Sequence, residues 1–151
     1  MSFQTNASTS IDLAEIISRL FSNCHEKELR HVSKYGVSIV EFRCLRALYD
    51  RNGITVNELA REMSLTSSRV TRIIDGLVRK KLVIREIGTN DRRIYNLHLT
   101  LRGKSLSLEM IEDYRNIHEQ ILNKIPASQR TQMIENLNRL NGAVERWLED
   151  K

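Results

Sequence analysis

Arginine and hydroxyl side chains are concentrated in two short segments of the sequence. The first segment reads TSSRVTR over residues 66–72, and the second reads GTNDRR over residues 88–93. Arginine can donate a pair of hydrogen bonds to O6 and N7 of guanine, and small hydroxyl groups can reach bases or phosphates. These residue types are therefore suited to nucleic-acid recognition.

The second segment places an acid directly before two arginines, Asp91, Arg92 and Arg93. A solvated loop does not need two guanidinium groups held together against their mutual repulsion. Asp91 could instead fix the orientation of one guanidinium, so that the loop presents a positive tip to a DNA minor groove, whose negative potential attracts arginine. A merely solvated loop is the alternative interpretation.

The excess positive charge of the chain lies in its middle third. Residues 55–103 contain ten basic and five acidic side chains, a net charge of +5, which equals the net charge of all 151 residues. The remainder is therefore neutral. This distribution is typical of a nucleic-acid-binding module flanked by a neutral scaffold.

The spacing of apolar residues predicts the elements that position both segments. A long first helix is expected over roughly Ser10–Ser33, closed by a left-handed Gly36, and capping boxes at Ser38 and Thr55 predict the second and third helices. A hairpin is expected from LVIREI and IYNLHLT, because both runs are rich in β-branched and aromatic residues. Two long helices follow, and Pro126 is expected in the first turn of the last. The predicted order is α-α-α-α-β-β-α-α, a mainly α (α+β) fold.

The fourth predicted helix carries the first arginine segment. Its buried stripe is formed by Val70, Ile73, Ile74 and Leu77. Ser68, Arg72, Asp75 and Arg79 then point outward, and Ser68, Thr71 and Arg72 lie nearest the start of the helix, the part that enters a major groove in a helix-turn-helix protein. A solvated amphipathic helix is the plainer alternative, but the adjacent hairpin favours a winged helix-turn-helix.

The stretch from about Thr55 to Gly103 resembles the winged helix-turn-helix of MarR-family transcriptional regulators. The strongest matches are ELA, VTRIIDGLVRKKLV, the DRR segment and the closing LTLRG. The resemblance implies an obligate homodimer with terminal helices at its interface. It also implies binding to pseudo-palindromic operators and, in many members, release by a small ligand.

The resemblance also assigns residues to the two DNA-binding elements. The recognition helix would contribute Ser67, Ser68, Arg69, Thr71 and Arg72. The wing would contribute Asn90, Asp91, Arg92 and Arg93. By analogy Arg93 enters the minor groove, Asp91 orients it, and Arg92 and Asn90 meet phosphates, although which arginine goes deep is left open. The expected organisation is a disordered arm (residues 1–9), a dimerisation region (10–36 and 104–151) and the DNA-binding region (37–103).

Burial favours a dimer independently of the resemblance. The outer helices carry more apolar residues than a winged helix of roughly 50 residues can cover, and few monomers tolerate such a patch. Two-fold pairing would bury the stripes and place two recognition helices about one DNA turn apart.

The sequence gives much less information about the signal that the protein senses than about DNA binding. Related proteins often bind aromatic acids or phenolic compounds, and six residues are candidates for such a pocket. These candidates are Tyr35, Phe42, Arg43, Arg46, Tyr114 and His118. Ordinary core or interface packing is the alternative for each of them.

The two cysteines are expected to be structural. Cys24 lies on the apolar stripe of the first helix and Cys44 in the second, and a buried inert thiol is favoured over an oxidant sensor for Cys24. Cys24, Glu28 and His31 approach one helix face, but His25 is turned away by about 100° and no paired ligand set occurs elsewhere, so no metal site is predicted. No cofactor is predicted either.

The sequence therefore predicts a sequence-specific, homodimeric DNA-binding regulator, most simply a repressor released by a small ligand. The alternatives are a winged-helix module for protein–protein assembly and a non-specific architectural DNA binder. No nucleophile–base set or glycine-rich phosphate loop is apparent, so the chain is not expected to be an enzyme. Without a signal-like or membrane-spanning run it is expected to be cytoplasmic.

Overall fold

The computed structural model describes residues 2–51, 53–87 and 95–150, with side chains from residue 8 onward. Helices alternate with three short strands in the order α-α-β-α-α-β-β-α-α. The helices are α1 (Ser2–Ser33), α2 (Ile39–Tyr49), α3 (Val56–Glu62), α4 (Ser67–Arg79), α5 (Leu101–Leu122) and α6 (Ala127–Glu149). The strands are β1 (Ile54–Thr55), β2 (Val83–Ile87) and β3 (Tyr95–Leu99). The predicted mainly helical fold with a β-hairpin is confirmed.

The predicted element order is incomplete because it omits β1. This two-residue strand pairs antiparallel with β3, with Ile54 opposite Leu97, and the sheet order is β1-β3-β2. A strand of two residues is too short to show alternation of polar and apolar side chains. Thr55 was expected only as a helix cap, and it serves both as the last residue of β1 and as the N-cap of α3.

Helix α1 is longer than its apolar stripe predicts. It begins at Ser2 rather than near Ser10, so the expected disordered arm over residues 1–9 is wrong for residues 2–9, which are helical. The physical reason is the absence of a helix breaker, since neither Gly nor Pro precedes Gly36. The end of the helix is as predicted, with Gly36 in the left-handed region at φ +65°.

Side-chain caps fix where α2, α3 and α5 start. Ser38 and Glu41 form the predicted capping box of α2, with the Ser38 N–H donating to Glu41 Oε2 at 2.7 Å, and Thr55 and Glu58 do the same for α3. Thr100 Oγ1 accepts from the N–H of Gly103 at 2.9 Å at the start of α5. Pro126 lies just outside α6 as its N-cap residue, and not in the first turn.

Two turns hold non-glycine residues in the left-handed backbone region. Ser64, between α3 and α4, has φ 52°, and Lys81, directly after α4 and its C-cap residue Lys80, has φ 59°. In the second turn the Leu82 N–H donates to Leu77 O at 3.0 Å, which closes the end of α4. These turns determine the direction of α4 relative to α3 before it and to β2 after it.

The chain divides into two compact units, Met1–Glu112 and Asp113–Lys151. The buried core lies in the first unit, where Leu45, Leu59 and Ile74 have no exposed surface. Helix α1 belongs to this unit because Val32 and His31 are buried in it, and His31 Nε2 lies 3.0 Å from the carbonyl oxygen of Met110. This division differs from the predicted one, which grouped residues 10–36 with 104–151.

The second unit contains the end of α5 and all of α6. No residue of α6 that the structure describes is buried. In the described ranges, none of the helices combines the length and the apolar composition that crossing a membrane would require.

Candidate nucleic-acid interface

The helix-turn-helix consists of α3, the turn over residues 63–66 and α4. Val70, Ile74 and Leu77 of α4 are completely buried, whereas Ile73 is only half-buried and lies at the edge of the predicted stripe. Thr66 caps the helix through Oγ1, which accepts from the N–H of Arg69 at 3.4 Å. The structure leaves all five predicted recognition residues exposed on the first turns of α4: Ser67, Ser68, Arg69, Thr71 and Arg72.

The hydroxyl groups at the start of α4 are held in place by neighbouring groups. Ser67 Oγ donates to Asn57 Oδ1 of α3 at 2.7 Å, and Thr71 Oγ1 donates to the carbonyl oxygen of Ser67 at 2.8 Å. Ser68 Oγ lies 3.2 Å from Thr66 Oγ1. Asn57 is not among the residues that the sequence predicts for this surface. The available signal was an amide side chain in the first turn of α3, where the capping box leaves it free to reach another helix.

Arginines dominate the outward face of α4. Arg69, Arg72 and Arg79 are exposed, and in the described part of the chain no carboxylate lies within ion-pair distance of any of them. The first turn of α4 contains no acid, so Arg69 adds to the positive end of the helix dipole, whereas Arg79 lies in the last turn. This surface therefore suits an anionic partner.

The hairpin that follows α4 has the geometry of a wing. Val83 pairs with Leu99 and Ile87 with Tyr95, so β2 and β3 are in antiparallel register up to the tip. The four predicted wing residues, Asn90, Asp91, Arg92 and Arg93, lie outside the described residues, and their roles stay predictions.

Among the described cations of residues 55–103, Lys80 and Arg85 pair with acidic residues of the protein itself. Arg85 Nη2 donates to Asp75 Oδ1 at 2.6 Å, and Lys80 Nζ donates to Glu41 Oε2 at 2.8 Å and to the Gly36 carbonyl oxygen at 2.9 Å. Burial by itself raises the pKa of Glu41, but the hydrogen bonds from Lys80 and Ser38 outweigh it and hold that pKa below its usual value. Glu41 is therefore an ionised partner for Lys80 at neutral pH.

Three of the predicted effector-pocket residues gather around the buried His31. The ring of Phe42, which is buried, meets His31 edge-on at 5.0 Å, and Tyr35 does so at 5.7 Å. The Arg46 guanidinium carbon lies 5.9 Å from the centre of the Phe42 ring. Of these side chains, Phe42 and His31 belong to the core of the first unit, whereas Tyr35 is half-buried and Arg46 is exposed.

Arg43 lies elsewhere, on a groove of about 730 Å³ between the second half of α1 and the start of α2. Its guanidinium pairs with Glu28 at 3.0 Å, and both residues line the groove. The remaining lining is mainly apolar: Phe21, Leu29, Val32, Val37, Ile39 and Val40. The sequence did not predict this groove, because it depends on how closely α1 approaches α2.

The last two predicted pocket residues, Tyr114 and His118, belong to the second unit. Their rings are 4.3 Å apart, and His118 Nδ1 lies 2.7 Å from the Tyr114 carbonyl oxygen. They are neighbours one helical turn apart on α5.

The cysteines differ from each other in exposure. Cys24 is exposed within a single chain and lines the groove, because no described residue covers the apolar stripe of α1 there; its burial in a dimer stays a prediction. Cys44 is completely buried, and burial raises the pKa of its thiol to about 12. Among the residues that the structure describes, no group of three or more His, Cys, Asp or Glu side chains is placed to hold a metal ion.

Comparison with known proteins identifies the family. The sequence profile of the MarR family matches residues 37–95. The chain is 27% identical to the HTH-type transcriptional regulator MhqR of Bacillus subtilis (strain 168) over 105 residues, which cover 70% of this chain and 72% of MhqR. It is 31% identical over 98 residues to the uncharacterized HTH-type transcriptional regulator YsmB of the same organism, covering 57% of this chain and 67% of YsmB.

Solved structures agree on the fold. FabT of Streptococcus pneumoniae, in a crystal structure with DNA, has a TM-score of 0.79 at 22% identity and matches 91% of this chain and 99% of its own. The curated relatives are named as regulators and not as enzymes, in agreement with the sequence prediction. The chain belongs to the MarR family and is a transcriptional regulator.

Proposed function

We propose that this protein is a homodimeric, sequence-specific DNA-binding repressor that a small ligand releases from its operator. The observation that carries the proposal is the exposed start of α4, where ordered hydroxyl groups lie beside arginines without described acidic partners. Side chains that are already held in place lose little conformational freedom on binding, which favours discrimination between bases.

In this proposal each protomer uses two elements on DNA. The first turns of α4 enter the major groove, where Arg72 reads a guanine and Ser68 and Thr71 meet bases or phosphates. The wing reaches the neighbouring minor groove with Arg93, oriented by Asp91, while Asn90 and Arg92 meet phosphates. A regulator of transcription works where the DNA is, so we also propose a cytoplasmic location.

Exposed apolar stripes support the homodimer. On α1, Leu13, Ile16, Ile17 and Leu20 recur at helical spacing and are 39–53% exposed. On α6, Leu137, Val144, Trp147 and Leu148 are 45–63% exposed. Surfaces of this kind are rare in monomers. A two-fold dimer that buries them would give the operator its inverted repeat.

Selection of bound duplexes from a random pool tests the proposal directly. We expect an inverted repeat, and binding to the selected duplex at least about 10³-fold tighter than to a random one. Equal affinity for both would favour the architectural DNA binder. Absence of binding at low salt would favour the protein–protein assembly module.

Two arginine substitutions on the same face of α4 separate base reading from phosphate binding. Arg72→Ala should relax the preference at one position in each half-site. Arg79→Ala, two turns further from the start of the helix, is the matched control and should weaken all duplexes alike or not at all. Equal profiles for the two variants would contradict the role given to Arg72.

The wing has its own test. Arg93→Ala should weaken binding to the selected duplex and reduce the dependence of affinity on salt concentration. An unchanged affinity and slope would remove the wing from the interface.

The groove of about 730 Å³ in the first unit supports the small-ligand part of the proposal. Arg43 contributes a positive charge to the lining of this groove. An aromatic or phenolic ligand suits its apolar walls. Aromatic acids and phenols can be screened for release of the selected duplex, with Arg43→Ala as the groove variant. If no compound releases the duplex, the repressor is not controlled in this way. A reporter gene under the selected operator gives the sign of regulation.

A further inference from the structure

An acidic residue lies in the middle of the arginine face of α4. Asp75 is three residues after Arg72 and four before Arg79, and it lies about 100° around the helix from the buried Ile74 and about 140° from the buried Val70. A carboxylate that faces a phosphate backbone opposes binding by charge repulsion. Its presence on this face needs a structural reason.

Among the residues that the structure describes, the cation paired with Asp75 is Arg85 on the hairpin. Asp75 Oδ1 accepts from Arg85 Nη2 at 2.6 Å, and the two side chains are 40% and 31% exposed. Arg85 is the central residue of β2, and it lies opposite the buried Leu97 of β3. Because side chains alternate along a strand, Arg85 shares a sheet face with Val83, which is buried. Arg85 therefore points toward α4 from the helix side of the sheet.

The ion pair joins the two elements that are proposed to contact DNA. On one side, Asp75 lies one turn after Arg72 of the recognition helix. On the other side, Arg85 lies three residues before Gly88, at the start of the segment that forms the wing tip. Along the chain, α4 and β2 are joined by the turn over residues 80–82. The Asp75–Arg85 ion pair joins α4 and β2 a second time, and it therefore limits how far the hairpin can move away from the helix.

We propose that Asp75 and Arg85 are positioning residues. Their ion pair holds the wing at a fixed distance from the recognition helix, so that the helix and the wing can enter the major and the adjacent minor groove together. The inference rests on the proposed DNA-binding function. It assigns Arg85 to the frame of the protein, although the sequence alone counts it with the cations available to phosphates.

This role predicts a change opposite in sign to simple electrostatics. Asp75→Asn removes a negative charge from the DNA-facing surface, so repulsion alone predicts tighter binding to every duplex. Loss of positioning instead predicts weaker binding to the selected duplex, by about tenfold, which is the cost of one poorly made base contact. Binding to random duplexes should be unchanged or tighter, because phosphate contacts do not need the fixed separation.

Four variants complete the experiment. Arg85→Gln should reproduce the loss of selectivity, and the double variant should lose no more than either single one. Asp75→Glu keeps the charge on a side chain that is one methylene longer and can still meet Arg85, and it should retain most of the selectivity. The matched control is Glu62→Gln, which breaks the exposed Arg51–Glu62 ion pair (2.8 Å) away from α4 and the hairpin and removes the same charge. It should leave the ratio of selected to random affinity unchanged.

Affinities for selected and random duplexes are measured for each variant across a salt titration, with circular dichroism and thermal unfolding as checks of folding. If Asp75→Asn keeps the selected-to-random ratio within twofold, the positioning role is wrong. It is also wrong if Arg85→Gln lowers the salt slope by about 0.9 in the Asp75→Asn background, because Arg85 would then contact a phosphate. Failure of the parent protein to prefer any duplex would instead end the proposed function, and the two failures are thus distinct.

Discussion

Replacement of Gly103 by Ala tests how tightly α5 is packed on the end of the helix-turn-helix. An added Cβ would lie 2.0 Å from the carbonyl oxygen of Leu82 and 2.9 Å from its carbonyl carbon. A carbon atom rarely approaches a carbonyl oxygen closer than about 3.3 Å, so one of the two segments must move by roughly 1.3 Å. Both neighbours are backbone atoms, and neither can rotate away.

The cost can be assembled from the contacts that this movement disturbs. The Thr100 N–H donates to the Leu82 carbonyl oxygen at 3.0 Å, and the single Thr100 hydroxyl proton is shared between the carbonyl oxygens of Lys81 (2.9 Å) and Leu82 (3.3 Å); each of these two donors contributes about 1 kcal/mol. Overpacking adds about 1–3 kcal/mol, and Ala returns up to about 1 kcal/mol through its helix propensity. We expect Gly103→Ala to lower the free energy of unfolding by about 3 kcal/mol and the melting temperature by about 6–12 °C.

Thermal unfolding at matched protein concentration measures this effect. Gly142→Ala in α6 is the matched control, because its Cβ would meet only Arg146 Nη1 at 3.4 Å, the end of a flexible side chain. The control should unfold at the same temperature as the parent or slightly higher. A Gly103→Ala protein that melts within 2 °C of the parent would show that α5 does not pack on Leu82 as described.

Three further predictions concern a carboxylate, a thiol and an apolar stripe. Because the pKa of Glu41 is lowered, its stabilising effect is present above its ordinary pKa of 4.5 and is lost as the pH falls below that value. In urea unfolding, Glu41→Gln should therefore lower the free energy of unfolding by about 1–2 kcal/mol at pH 7 and by much less at pH 3. An equal cost at both pH values would contradict the ionised pair. In Cys24→Ser protein, Cys44 should react with thiol reagents only as the protein unfolds, because its pKa of about 12 leaves almost no thiolate at pH 8; rapid native labelling would contradict its burial. Leu20→Asp should give a monomer by light scattering at micromolar concentration, whereas Leu101→Asp, at a position 89% exposed, should not; a persistent Leu20→Asp dimer would exclude the α1 stripe from the interface.

Local signals made much of the fold predictable. Capping boxes at Ser38 and Thr55 and the stripe of Val70, Ile74 and Leu77 depend on residues within a few positions of one another. Such patterns determine where a helix starts and which face is buried without reference to the remainder of the chain. The exposure of Ser68, Arg69, Thr71 and Arg72 follows from that stripe.

Features that depend on distant contacts were not predictable in the same way. Strand β1 exists because β3 lies beside it, and the groove exists because α1 approaches α2. The sequence shows that Lys80 and Arg85 are cations, but it does not show that both are paired with carboxylates. Glu41 and Asp75 approach them only in the folded protein. The position of Cys24 on the α1 stripe was also correct. Its exposure within one chain was not foreseen, since a stripe shows which side of a helix is apolar and does not show what covers it.

The left-handed residues at the ends of the turns around α4 have a consequence for sequence variation. Ser64 and Lys81 occupy a backbone region that β-branched side chains tolerate poorly and glycine or asparagine tolerate well. In a saturation library scored for folding, these two positions should behave as glycine positions do, accepting Gly and Asn and rejecting Val and Ile, although neither carries a glycine now. The chain can therefore gain stability by single substitutions in the two turns that flank α4.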